Sequence, residues 1–241
     1  MDTRAGTGYA ASATTEGTSG EKTVTEAEWL ACGEAVRLSS AIREQLSTRK
    51  VRLFLAVCFR SVWDSLPADC HRVIEVNERF AEGQASPKEM ERACLACRGI
   101  TTELAMGIIE SLMERHPSFA PLTEVALEQS AKAEDNSPAT RTGFALGHAH
   151  LFRDVVGNPF RPVSIGESWL RWNGGTIVQL AQSAYEERHL PAGTLDNGRL
   201  AVLADALEEA GCTDADILGH LRGPGPHVRG CWAVDLLLGK S

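Results

Sequence analysis

Cysteine and histidine crowd one stretch of the chain, CTDADILGHLRGPGPHVRGCW at residues 212–232, which holds Cys212, His220, His227 and Cys231. Imidazole and thiolate together are the donor set of a zinc site, so a Cys2His2 centre is the first chemistry to consider. Helical spacing counts against that quartet. If 213–221 is a helix, Cys212 and His220 lie ~12 Å apart along its axis, too far for two bonds of about 2 Å to one ion. A better set pairs Asp216 with His220 and His227 with Cys231, each pair one helical turn apart, with the RGPGPH loop bringing the pairs face to face. Asp216, His220, His227 and Cys231 are therefore the candidate metal ligands, with zinc as the candidate ion. His227 beside Cys231 also suggests a thiol nucleophile with its base, although no oxyanion donor or orienting third residue is evident. The plainer reading, with no cofactor, is preferred from sequence: a helical hairpin turned by Gly223, Pro224, Gly225 and Pro226, with His227 and Arg229 bonding exposed carbonyls or capping neighbouring helices.

Other chemistry-bearing residues read more plainly. Cys94 and Cys97 form a CxxC, but both fall on the inner stripe of a long helical pattern, where cysteine behaves as a small hydrophobe. His148 and His150 point about 200° apart on a helix and cannot share an ion; His148 reads as a hydrogen-bonded core histidine, and His150 is spaced to meet Asp154. RGPGPH lacks a GxxxxGK[ST] pattern and a preceding strand, and its prolines remove the amide donors a phosphate loop needs. Arg49, Arg52 and Arg60 share one arc of a helix with Lys50 nearby; without an aromatic series they read as a solvated face rather than a nucleic-acid surface.

The elements that position these residues are helices. Thr25 and Glu28 are spaced as a capping box, opening a short helix, and a second covers about 36–46. The run at 50–66 is apolar around most of its circumference, so it is expected at the centre of a core, ended by Pro67. A helix follows over 69–81. Ser86, Pro87 and Glu89 start another that the pattern carries to Arg115 with a weakening at Gly99 and Gly107. Further helices are expected over 121–133, 142–156, 177–188, 199–210, 213–221 and 227–238. No alternating apolar stretch demands a sheet. The expected fold is all-α: an irregular multi-helix bundle of short and medium helices with a C-terminal helical hairpin.

The 241 residues carry a net charge of −8, with 43% hydrophobic and 23% charged residues. Residues 1–24, rich in Thr, Ala, Gly and Ser, read as a disordered leader without a signal-peptide core. Residues 25–241 read as a single composite domain, with a polar linker excursion near 131–141. Seven cysteines, mostly inside apolar patterns, suit a reduced cytoplasmic compartment. The negative charge argues against nucleic acid, and the lack of a long apolar run against membrane insertion.

Several blocks together resemble a known group: TEAEWLAC at 25–32, RKVRLFLAVCFRSVW at 49–63, VIEVNERFAEG at 73–83, FRDVVGNPFRPV at 152–163, YEER at 185–188, and the segment from LADALEEAGC to LLLGK at 203–240. The chain is similar, over most of its length outside the leader and linker, to a paralogous family of uncharacterised helical proteins abundant in planctomycete bacteria. Its most specific motifs are GNPFRP and RGPGPHVRGCW. The resemblance implies a bacterial origin and carries no activity or catalytic residue.

The function expected from these residues is a non-enzymatic protein-interaction or scaffold module whose partner is another protein. Trp169, Trp172 and Trp232, with Arg222 and Arg229, are its candidate contact residues. The alternative is a small metal-dependent or thiol enzyme built on the C-terminal His/Cys cluster.

Overall fold

A computed structural model describes residues 24–240 apart from 98, 101, 120, 123–124, 126–127 and 130–137. The fold is all-α, as the periodicity predicts; among the described residues the extended pairings are isolated bridges, His189 with Thr194 and Thr194 with Val228. The expected leader lies outside the described residues except Val24. So does most of the expected linker, while Pro138 begins a helix instead of breaking one.

The helices are α1 (Glu26–Ala31), α2 (Ala35–Ala41), α3 (Thr48–Arg60), α4 (Ala68–Ala81), α5 (Pro87–Ala96), α6 (Glu103–Met113), α7 (Pro138–Val156), α8 (Glu167–Arg171), α9 (Thr176–Glu186), α10 (Asn197–Glu209), α11 (Ala215–Leu221) and α12 (Trp232–Leu237). Thr25 and Glu28 form the predicted capping box on α1. Ser86 caps α5 with Pro87 in its first turn. The single helix expected over 86–115 is two. The chain leaves α5 at Cys97, and Gly99, at φ +126°, adopts a backbone that a helix cannot contain.

Two apolar cores result. The first gathers α1–α7 around α3, whose residues from Arg52 to Arg60 are all buried, with Phe54, Phe59 and Phe152 among the largest side chains wholly inside. Each buried phenylalanine contributes roughly 1.5–3 kcal/mol of hydrophobic stabilisation. The second is formed by α9–α12, around Ile177, Leu203, Leu207, Ile217 and Val234. Val228, from the loop between α11 and α12, packs in the first core although Leu221 and Cys231 on either side of it belong to the second.

The cores are also joined through charge. Asp235 on α12 accepts two hydrogen bonds from Arg49 of α3, at 2.7 and 3.0 Å, and one from Lys50. Arg49 also reaches Glu82 at 2.8 Å and the Tyr185 hydroxyl at 2.7 Å. Glu78 on α4 receives Arg60 at 2.8 and 3.0 Å and Arg188 at 3.0 and 3.2 Å. The arginine arc expected as a solvated face is thus internal. Arg52, too, is buried, bonded to Asn77 and to the carbonyls of Leu112 and Glu114. A buried guanidinium needs partners for its donors, and here the acids and carbonyls come from distant parts of the chain, leaving Arg52 Nε unpaired. Among the described residues no helix is long and apolar enough to cross a membrane.

Candidate metal centre

The cysteine and histidines of 220–231 do converge, but not as successive turns of a helix. The chain from Arg222 to Gly230 is a loop, and α12 starts only after Cys231. The expected helix over 227–238 is shortened because Val228 bridges to Thr194, Leu195 N–H donates to the His227 carbonyl at 2.8 Å, and Gly230 takes φ +92°. Gly230 also lies against Leu53, whose Cδ1 would sit 2.9 Å from an added Cβ, so α3 and the loop approach to a distance only glycine permits. Asp214, rather than Thr213, caps α11, and this helix carries His220 near its end.

The fourth member of the cluster is Asp154, in the last turn of α7. Ligand atoms of Asp154, His220, His227 and Cys231 all lie within 4.8 Å of one another, so this group could hold a metal ion. Asp154 Oδ1 accepts from His227 Nδ1 at 2.7 Å and stands 3.1 Å from His220 Nε2; Oδ2 accepts the Val228 N–H at 2.9 Å. The same His220 nitrogen is 3.1 Å from Cys231 Sγ. Asp154, His227 and Cys231 are buried, and the His220 side chain is 19% exposed. Trp232 packs against the His220 ring, tilted by 49° with centroids 4.9 Å apart, and lies over Gly157, which ends α7 with φ +81°.

Electrostatics bind the group together. Burial alone would raise the Asp154 carboxyl, but hydrogen bonds and charge from His220 and His227 outweigh it and hold the carboxyl below its ordinary range. Burial opposes protonation of His227, yet Asp154 raises it above the usual imidazole value. Burial, reinforced by the charge of Asp154, pushes the Cys231 thiol well up. The N–H groups of Ala233 and Val234 at the start of α12 act on that sulfur in the opposite sense, as amides do around a ligating thiolate.

This geometry discriminates between two chemistries. A thiol–imidazole–acid relay needs the acid on one ring nitrogen and the thiol on the other. Here His220 turns a single nitrogen to both, and Cys231 is 0% exposed, so no substrate carbon reaches its sulfur. Four ligand-type atoms within 4.8 Å of one another are instead the arrangement that could hold a metal. A tetrahedral zinc with bonds of about 2.0–2.3 Å sets its ligands about 3.3–3.8 Å apart. The pairs at 2.7 and 3.1 Å would open to that spacing, while the whole group, within 4.8 Å, is already of the size such a site needs.

Three of the four cluster residues, Asp154, His220 and His227, line a cavity of about 840 Å³. Asp216 also lines that cavity but is not a member of the cluster. Cys212 is buried in the second core, away from the group. Cys94 and Cys97 are buried core residues, as their helical positions indicate. His148 is buried with its Nε2 unpartnered, and His150 meets the Gly225 carbonyl at 3.1 Å rather than Asp154.

The candidate contact residues are packed against the molecule itself. Trp169, Trp172 and Trp232 are partly buried against the second core. Arg222 pairs with Asp205 and Glu208, and Arg229 lies 5.2 Å over the Tyr185 ring. Asp154 is the member that spacing alone misses. Its one signal was position: on a helix it stands about 60° from Leu151, at the flank of an apolar arc where a carboxylate must find partners. Comparison with protein-family models, with curated proteins and with solved structures finds no match to this chain.

Proposed function

We propose that this protein binds one zinc ion through Asp154, His220, His227 and Cys231, a structural centre that ties the end of α7 to α11, the loop after it and the start of α12. The observation that carries this is the convergence of four ligand-type atoms, from α7, α11, the following loop and the residue before α12, to within 4.8 Å of one another. The mixed oxygen, nitrogen and sulfur set suits zinc, and calcium or magnesium would be expected to select oxygen alone. Four protein donors would complete a tetrahedral shell, so the ion's role would be to hold these segments together.

Elemental mass spectrometry of protein refolded with zinc, calcium and magnesium together tests the centre. One equivalent of zinc is expected in the parent, and less than a tenth of that in Asp154→Ala and in His227→Ala/Cys231→Ala. Metal-free protein with native circular dichroism would overturn the proposal. Zinc retained by the folded Asp154→Ala protein would show that the fourth ligand is misassigned.

A further inference from the structure

Lys50 reaches the candidate centre without belonging to it. It stands in the first turn of α3, the helix at the middle of the first core, and its side chain is 14% exposed. An ammonium group has three N–H donors, and once buried each needs an acceptor. Here the acceptors come from three places: the Val155 carbonyl at 2.8 Å, the Gly230 carbonyl at 2.7 Å and the Asp235 carboxylate.

Two of those acceptors adjoin candidate ligands. Val155 follows Asp154, and its carbonyl is among the last four of α7, which find no N–H within the helix. Gly230 precedes Cys231, and one planar peptide unit joins its carbonyl to the Cys231 Cα. Fixing the Gly230 oxygen therefore fixes where the Cys231 side chain starts. The third acceptor, Asp235, lies one turn of α12 beyond Cys231 and donates its own N–H to the Cys231 carbonyl at 2.9 Å. Leu53, one turn after Lys50, packs against Gly230 closely enough to exclude a Cβ. Helix α3 thus holds the 230–231 peptide by a hydrogen bond and by contact, and holds the end of α7 by a second hydrogen bond. With its protons all used, Lys50 supplies position, together with a positive charge that favours the Cys231 thiolate.

On the reading that Asp154, His220, His227 and Cys231 hold zinc, we infer that Lys50 is the positioning residue of the centre. One ammonium bridges the residue after Asp154 to the residue before Cys231, and so sets the carboxylate and the thiol in place before the metal arrives. A site held in this way binds without first having to be ordered. Groups that orient metal ligands are worth about 10–100-fold in metal affinity.

The test is zinc affinity by competition with a chelator, together with the absorption spectrum of the cobalt(II) form, on the full-length parent and on Lys50→Met, each checked for folding by circular dichroism. Lys50→Met is expected to bind zinc about 10–100-fold more weakly and to show altered cobalt bands, the sulfur-to-cobalt charge-transfer band included. Ile108→Ala opens a cavity in the first core at a residue that touches no ligand segment by sequence, and serves as the control for lost stability; it should keep the parent's spectrum. Parental zinc affinity with a parental cobalt spectrum in folded Lys50→Met would overturn the inference and leave the zinc centre standing. So would an equal loss of affinity in Lys50→Met and Ile108→Ala with unchanged spectra in both, which marks a general loss of stability. If Lys50→Met does not fold, Lys50→Gln, which keeps an N–H donor, is read by the same criteria. A parent that takes up no zinc would overturn the zinc reading and this inference with it, and metal content alone reports that outcome.

Discussion

Asp235→Asn keeps the shape of a side chain and removes the charge that two cations of the other core depend on. The Asp235 side chain is 2% exposed and those of Arg49 and Lys50 are 15% and 14% exposed, so all three sit largely out of water. Removing one member of a buried ion pair typically costs about 3–5 kcal/mol, because the remaining charge stays desolvated. Arg49 keeps Glu82 at 2.8 Å, and Lys50 keeps two carbonyls, which places this case at the lower end, about 3 kcal/mol. In urea, with chelator present to exclude metal, a loss of that size lowers the midpoint by about 1–1.5 M for a slope of 2–3 kcal/mol/M. Tryptophan fluorescence and far-ultraviolet circular dichroism should be followed together, because Trp29 is in the first core and Trp169, Trp172 and Trp232 pack on the second. The variant should also begin to separate the two signals, since the joint between the cores is what was weakened. Replacing Arg49 and Lys50 by methionine in the same background should recover part of the loss, as both desolvated cations then go with their acid. A midpoint within about 0.3 M of the parent would refute the view that this triad holds the cores together.

Further outcomes follow from other sites. His148 is pushed down to about 4 by burial, so the folded protein keeps it neutral while the unfolded chain protonates it near pH 6.5. Stability from this residue is therefore full above pH 6.5 and declines as pH falls toward 4, by about 3 kcal/mol in all; His148→Leu should flatten that part of the pH profile of urea stability. Glu78→Gln leaves Arg60 and Arg188 without their shared acid and should cost about 3 kcal/mol at pH 7 by the same measurement. Asp216→Asn should retain one equivalent of zinc by elemental analysis, where Asp154→Asn should not. Gly230→Ala meets both a left-handed backbone and Leu53, and should lower the thermal midpoint by several degrees and reduce zinc retention, because it moves Cys231 relative to His227.

How much of this was legible in the residues depended on distance along the chain. The Thr25–Glu28 box, the Ser86–Pro87–Glu89 start and the all-round apolar character of α3 are local signals, and each produced the element it announces. The break at Gly99 was visible only as a weak point, since glycine within a helical pattern is tolerated as often as it interrupts. The arginine arc of α3 looked like a surface because its acids, Glu78, Glu82 and Asp235, lie 18 to 186 residues away. The same limit governed the candidate centre. Spacing brought out His220, His227 and Cys231, which share one short segment, and offered Asp216 because it shares a helical turn with His220. Asp154 enters only because α7 ends against the 222–231 loop, a fact of tertiary packing that no periodicity contains.

The placement of Asp235 has a consequence for the order in which the protein is made. Arg49 and Lys50 are synthesised nearly two hundred residues before the acid that neutralises them, and three of the four candidate ligands also emerge late. At ribosomal speeds of about 5–20 residues per second, the first core waits on the order of ten seconds or more with two charges facing a surface that has not yet arrived. During that interval the nascent chain presents an apolar and cationic face to its surroundings, and closure of long-range contacts sets the pace of its completion.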